Sequence, residues 1–158
     1  MAFLESLKAS AFSEWLSISL AGFPTLIAVH SVGMAAVVGL SLVVAIRLHR
    51  PLPGIEAALL PRLLDVAVWG FTINLVTGLL IFIPKGPQYI ASGIFLLKML
   101  LVVVGATAVF VLRRRMRRAP RSPDRDGPAQ WLSLLASASL FGAVITGRLI
   151  AYLSDIYR

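Results

Sequence analysis

The stretch from Pro24 to Ile46 is apolar almost without interruption. That is longer than the roughly 20 residues a helix needs to cross the hydrocarbon core of a bilayer. A soluble fold has no interior large enough to hide so uniform a helix. Inside a bilayer only helices and closed barrels satisfy their own backbone polar groups. One titratable side chain, His30, interrupts the run.

Three further apolar segments follow. With the first they predict spans over about 24–48, 63–83, 89–112 and 130–153. Hydrophobic residues make up 58% of the 158-residue chain, which suits a small polytopic membrane protein. The expected fold is therefore all-α, a four-helix transmembrane bundle over 21–158. Residues 1–20 are read as an amphipathic helix. Leu4, Leu7, Ala11, Trp15 and Ile18 share one stripe, and Ser6, Ser10, Ser13 and Ser17 the other. Such a helix suits the membrane interface, with Trp15 as anchor, or a partner subunit. Glu5 and Glu14, with no basic run before an apolar core, argue against a cleavable signal peptide.

The chain has no cysteine, which excludes disulfides and thiolate metal sites. Its net charge of +8 is unevenly placed. Seven of the fifteen basic residues fall in the Pro-containing segment 113–128, read as a loop. Arg47, Arg50 and Arg62 flank the first connection, 49–62. The second connection carries only Lys85, and the N-terminus only Lys8. The positive-inside rule then puts both basic loops in the cytoplasm and both termini in the periplasm of a bacterial inner membrane. The arginine cluster reads as an orientation signal and anionic-lipid contact, not as a nucleic-acid site. Asp65 reads as a residue near the cytoplasmic surface with Arg62 for a partner.

Three spans bring ionisable groups to one level in the outer half. At 1.5 Å rise per residue, His30 lies about 10 Å from the outer end of its span, Lys98 about 12 Å and Arg148 about 8 Å. Asn74 and Thr77 lie at or just below that level. Small residues line the same faces: Gly33 beside His30, Gly70 and Gly78 at four-residue steps from Asn74, Gly105 below Lys98, and Ser139, Ala143 and Gly147 beside Arg148. Such stripes let helices approach closely, so these faces are expected to point inward. Intramembrane charges cost roughly 2–3 kcal/mol each and are functional candidates by default. With no carboxylate in that half, a cationic cluster suggests an anionic or electron-rich ligand, such as haem propionates, a quinone carbonyl or a lipid phosphate. The competing readings are simple. Lys98 and Arg148 can snorkel to the headgroups, and His30 can be a neutral histidine bonded to Asn74 or to a backbone carbonyl. His49 lies about 30 Å along the helix from His30, so the two cannot bind one iron.

The run Ile27-Ala-Val-His30-Ser-Val-Gly33, the segment Phe95-Leu-Leu-Lys98-Met-Leu-Leu101 and Gly147-Arg148-Leu-Ile-Ala-Tyr152 resemble an uncharacterised family of small bacterial four-helix membrane proteins. That family is distantly similar to copper-resistance D-type membrane proteins and to HemJ-type protoporphyrinogen oxidases. In the latter, the histidine of the first span and the lysine of the third are tied to haem and to activity. The resemblance thus implies roles for His30, as a haem iron ligand, and for Lys98. Those relatives carry a second histidine further along the lysine-bearing span, where Ala106–Leu112 here has none.

The leading expectation is a redox-associated membrane protein holding haem b or a quinone among His30, Asn74, Lys98 and Arg148. The alternative is a cofactor-free accessory or assembly subunit that docks on other membrane subunits or on its own copies. A transporter is disfavoured, because no span is broken at its midplane.

Overall fold

The computed structural model describes residues 6, 9–19, 21–50, 52–85, 89–118 and 126–156. Helix α1 covers Ala11–Ile18, α2 Gly22–His49, α3 Leu60–Phe82, α4 Gly93–Arg118 and α5 Gly127–Ile156. No strand occurs among the described residues. Four of these helices are long and apolar enough to cross a membrane. Only 22% of the most apolar window is buried in each of the first three, and 39% in the fourth. Most apolar surface therefore faces outward, as lipid requires, and α5 is the most enclosed span.

The spans run up and down. Helices α2 and α3 pair along their length, as do α4 and α5, and the two hairpins join chiefly where α2 meets α5. In the α2–α3 hairpin the contact is backbone against backbone. A Cβ on Gly33 would lie 2.8 Å from the Gly70 carbonyl oxygen, and one on Gly70 would lie 2.8 Å from the Ala36 Cβ. In the α4–α5 hairpin a side chain fills the gap: Leu140 sits where a Cβ on Gly105 would be. The dry core lies toward the end where the first connection and the arginines gather. Val44, Leu48, Leu60, Leu64, Val109 and Leu112 are all buried there.

Local chemistry sets the ends. Ser10 caps α1, accepting from the Ser13 N–H at 3.2 Å. The Ser19 hydroxyl accepts from the Gly22 N–H at 3.0 Å and starts α2. Gly54, at φ 82°, turns the first connection in a conformation L side chains avoid. Arg47 Nε donates to the Ile55 carbonyl at 2.7 Å and holds that connection against α2. Gln130 Nε2 donates to the Leu48 carbonyl at 2.8 Å, so α5 satisfies an orphan group at the end of α2. Pro61 stands in the first turn of α3, where a missing N–H costs nothing.

Several expectations need correction. The described N-terminal helix is shorter than 1–20, and residues 1–5, 7, 8 and 20 lie outside the described residues. Within it Ser13 and Leu16 are buried, while Trp15 and Ile18 are exposed. Ser13 and Leu16 thus turn toward the bundle, and Ala11, Trp15 and Ile18 turn outward. The third span begins at Gly93 and continues through Arg118. The first part of the expected loop 113–128 is therefore helix, because arginine is a good helix former and hydropathy alone stops at Leu112. The part from 119 to 125 lies outside the described residues.

Asp65 is held by α4, not by Arg62. It accepts from Arg113 Nε at 2.6 Å and from Arg117 Nη2 at 2.8 Å. Arg115 forms a fork on Asp126, at 2.5 and 2.8 Å. The Arg115 fork holds the Asp126 carboxyl below the usual carboxylate range.

Two measurements test this packing. Gly70→Ala is expected to destabilise the detergent-solubilised protein by about 1–3 kcal/mol through overpacking. Gly39→Ala, with open space around it, is expected to be neutral or stabilising by up to about 1 kcal/mol. Equal thermal stabilities of the two variants would refute the backbone contact. The Asp126 carboxyl titrates lower folded than unfolded. Its contribution is therefore complete above the ordinary carboxylate pKa and is lost as pH falls through the folded value. Thermal scans of Asp126→Asn and the unsubstituted chain should show a small gap at pH 6 that closes on acidification below pH 4.

Candidate functional site

The polar level of the bundle lies near the end opposite the arginines, and all four spans contribute to it. His30 stands eight residues into α2, about 12 Å from its start. Its ring lies against α3. Nδ1 is 2.9 Å from the Thr77 hydroxyl and Nε2 is 3.3 Å from the Asn74 amide nitrogen. The same Asn74 nitrogen donates to the His30 carbonyl at 2.9 Å. The Thr77 hydroxyl donates back to the Ile73 carbonyl at 2.7 Å.

These partners assign the tautomer. A hydroxyl has one proton, and Thr77 directs its proton at Ile73. Toward His30 it can only accept, so Nδ1 carries the ring proton. Nε2 then holds a lone pair, and Asn74 is an amide donor placed to meet it. One amide proton of Asn74 goes to the ring and the other to the backbone carbonyl. The network is complete for a neutral imidazole. Gly78 makes room for it: a Cβ there would lie 3.2 Å from His30 Cε1. Gly70, Asn74 and Gly78 thus form one continuous seat on α3 for α2.

Lys98 stands five residues into α4, about 8 Å from its start. This is closer to the helix end than a span beginning at Tyr89 would put it. The far half of its side chain lies flat on Gly147 of α5. Cδ, Cε and Nζ are 3.7, 3.5 and 3.6 Å from the point a Cβ would occupy. Lys98 is half-buried and forms no hydrogen bond or ion pair within the described residues. His30, Asn74, Thr77 and Lys98 all lie toward the end of the bundle away from the arginines, with Gly78 and Gly147 as cut-outs for the two ionisable side chains.

Arg148 is not part of this cluster. It is exposed, although its neighbours Ser139 and Ala143 are buried. One residue after Gly147 is a rotation of about 100° around α5, which carries it off the inward face.

Two further features border the site. Phe82, Tyr89 and Phe95 stack where α3 ends and α4 approaches, away from the arginines, with centroids 5.4–6.3 Å apart. Sequence reasoning missed this trio, although Phe95 lies one helical turn before Lys98. An apolar groove of about 390 Å³ opens between α1, α2 and α3. Trp15, Leu16, Leu26, Val29 and Leu80 line it, and Thr77 stands in its wall. Thr77 is the member of the His30 network that reaches it.

The donor set does not fit a haem iron. Both His30 nitrogens are engaged, so the imidazole would have to give up Asn74 to reach a metal. Met99, the nearest candidate for a second axial ligand on α4, is exposed, and His49 lies at the far end of α2. Among the described residues no group of three His, Cys, Asp or Glu side chains is gathered, so a copper site finds no support either.

Thr77→Val keeps the shape of the side chain and removes the hydroxyl that faces the Nδ1–H. It is expected to cost about 1–3 kcal/mol of stability. The ring ¹⁵N shifts of the unsubstituted protein should report the Nδ1-protonated tautomer. A dominant Nε2–H form would refute the network. Comparison with known proteins adds no family to this geometry: no family model, curated protein or solved structure matches the chain.

Proposed function

We propose that this is a multi-pass protein of the bacterial inner membrane that binds a lipid-soluble quinone in its outer half. Both termini are then periplasmic. Arg47, Arg50, Arg62 and the arginines ending α4 lie at the cytoplasmic end, as the excess of Lys and Arg there favours. The observation that carries the ligand reading is Lys98: a half-buried ammonium, lying over a glycine, with no acceptor among the described residues.

Such a group needs an electron-rich partner. A quinone carbonyl accepts a charge-assisted hydrogen bond from it without bringing a full charge into the bilayer. The apolar groove between α1, α2 and α3 is a separate space, reached by Thr77 and not by Lys98, so an isoprenoid tail would run from the headgroup into the surrounding lipid. In this arrangement Lys98 orients the headgroup. The neutral His30–Asn74–Thr77 network forms a fixed polar wall beside it.

A second reading is favoured by Arg148. An exposed guanidinium on a membrane-spanning face is costly unless it reaches headgroups or a carboxylate of another subunit. On that reading the protein is a cofactor-free accessory or assembly subunit.

Solvent extraction and mass spectrometry of protein purified in mild detergent separate the two. Quinone is expected near one per chain. Lys98→Met is expected to lower it about tenfold or more, the worth of one hydrogen bond to a charged group. Protein that carries no quinone and co-purifies with stoichiometric partner subunits would replace the first reading with the second.

A further inference from the structure

The arginines that end α4 are sorted by helix face. Arg113 and Arg117, four residues apart, turn to Asp65 on α3. Arg115 turns to Asp126 ahead of α5. Arg114 and Arg118, also four residues apart, share a third face. Both are exposed, and neither has an acceptor among the described residues. Two guanidiniums one turn apart on a helix stand about 5–6 Å from each other at Cβ, close enough to grip one phosphate.

What lies along that face decides what the phosphate belongs to. Eighteen residues are five full turns, so Leu96 and Arg114 have the same bearing on α4. Between them Leu100, Val103 and Phe110 keep to the stripe. All four apolar residues are exposed, at 56, 59, 59 and 44%. The surface is thus an apolar track ending in two cations with no counter-charge. Val103 lies about 16 Å along the helix from Arg114, close to the depth of one hydrocarbon leaflet.

We infer that Arg114 and Arg118 form a binding site for the headgroup phosphate of an anionic phospholipid, whose acyl chains lie along the Leu100–Phe110 track. A zwitterionic lipid brings its own cation to the phosphate and competes with the guanidiniums. A phosphatidylglycerol-type headgroup brings none and is preferred. The paired arginines do not take part, because Asp65 and Asp126 already occupy their forks. A soluble acidic partner would use the cations but not the track. The site lies at the opposite end of the bundle from Lys98 and does not depend on the quinone reading.

Native mass spectrometry of the full chain, given equimolar phosphatidylglycerol and phosphatidylcholine in detergent, reads the site directly. The unsubstituted protein is expected to retain phosphatidylglycerol selectively. The double substitution R114Q/R118Q is expected to reduce that retention about thirty-fold, two interfacial charges at their usual worth. R115Q, which removes an arginine already held by Asp126, should leave it unchanged. If the double variant loses helicity, each single substitution is expected to cost about fivefold and carries the same test. Equal retention of the two lipids, undiminished retention in the variants, or equal loss in R115Q overturns the inference. So does stronger capture of a short RNA than of the lipid.

Discussion

In a bilayer a polar atom that finds no partner in the protein finds none at all. The structure meets that constraint by bringing two helices together until their backbones touch. Gly33 and Gly70 approach so closely that a Cβ on Gly33 would fall 3.0 Å from the Asn74 backbone nitrogen. At that separation Asn74 spans both the carbonyl and the ring of His30, and Thr77 reaches the other ring nitrogen. A longer interhelical distance would leave at least one of these groups alone in hydrocarbon. The polar network thus depends on the glycines, and the glycines fix the register in which the network closes.

The second hairpin is built differently, and the difference shapes the space between the two. In α4 and α5 the close approach is made by side chains entering glycine notches, Leu140 at Gly105 and Leu101 at Gly142. Knob-and-notch packing specifies position without polar groups, so nothing on α5 is committed to hold Lys98. One hairpin presents a saturated polar wall and the other presents an unpaired cation. The ring on Gly78 has its partners within its own hairpin, and the ammonium on Gly147 has none within the other.

Much of this was legible in the residues. Four apolar runs gave the spans, because length and hydropathy suffice for a helix that needs only lipid around it. Gly70, Asn74 and Gly78 at four-residue intervals announced the seat for α2, and the sequence already offered Asn74 as the partner of His30. What failed were judgments that depend on rotation and on distant partners. Arg148 follows Gly147 directly, and one residue changes face. Asp65 was given its neighbour Arg62, whereas α4 delivers Arg113 and Arg117 from 48 and 52 residues away. Apolar periodicity locates α1, yet not which side of it meets the bundle, since that depends on what α2 presents to it. The aromatic trio joins the ends of two spans across a connection, and no local pattern encodes it.

The two ends of the molecule treat charge in opposite ways, and the contrast bears on function. Where the arginines gather, Asp65 and Asp126 are each clasped by one or two guanidiniums, and the pairs stay partly exposed. Water and headgroups keep such pairs inexpensive, and their individual worth is small. At the other end a carboxylate opposite Lys98 would have been the plain structural solution. Breaking such a buried pair is costly, so the pair would have locked the side chain in place. The chain uses a cut-out at Gly147 instead, which accommodates the stem and leaves the ammonium uncommitted. A counter-charge built into the protein is permanent; one supplied from the membrane can come and go. Holding Lys98 by shape and not by charge is therefore the arrangement expected of a group whose partner is a ligand.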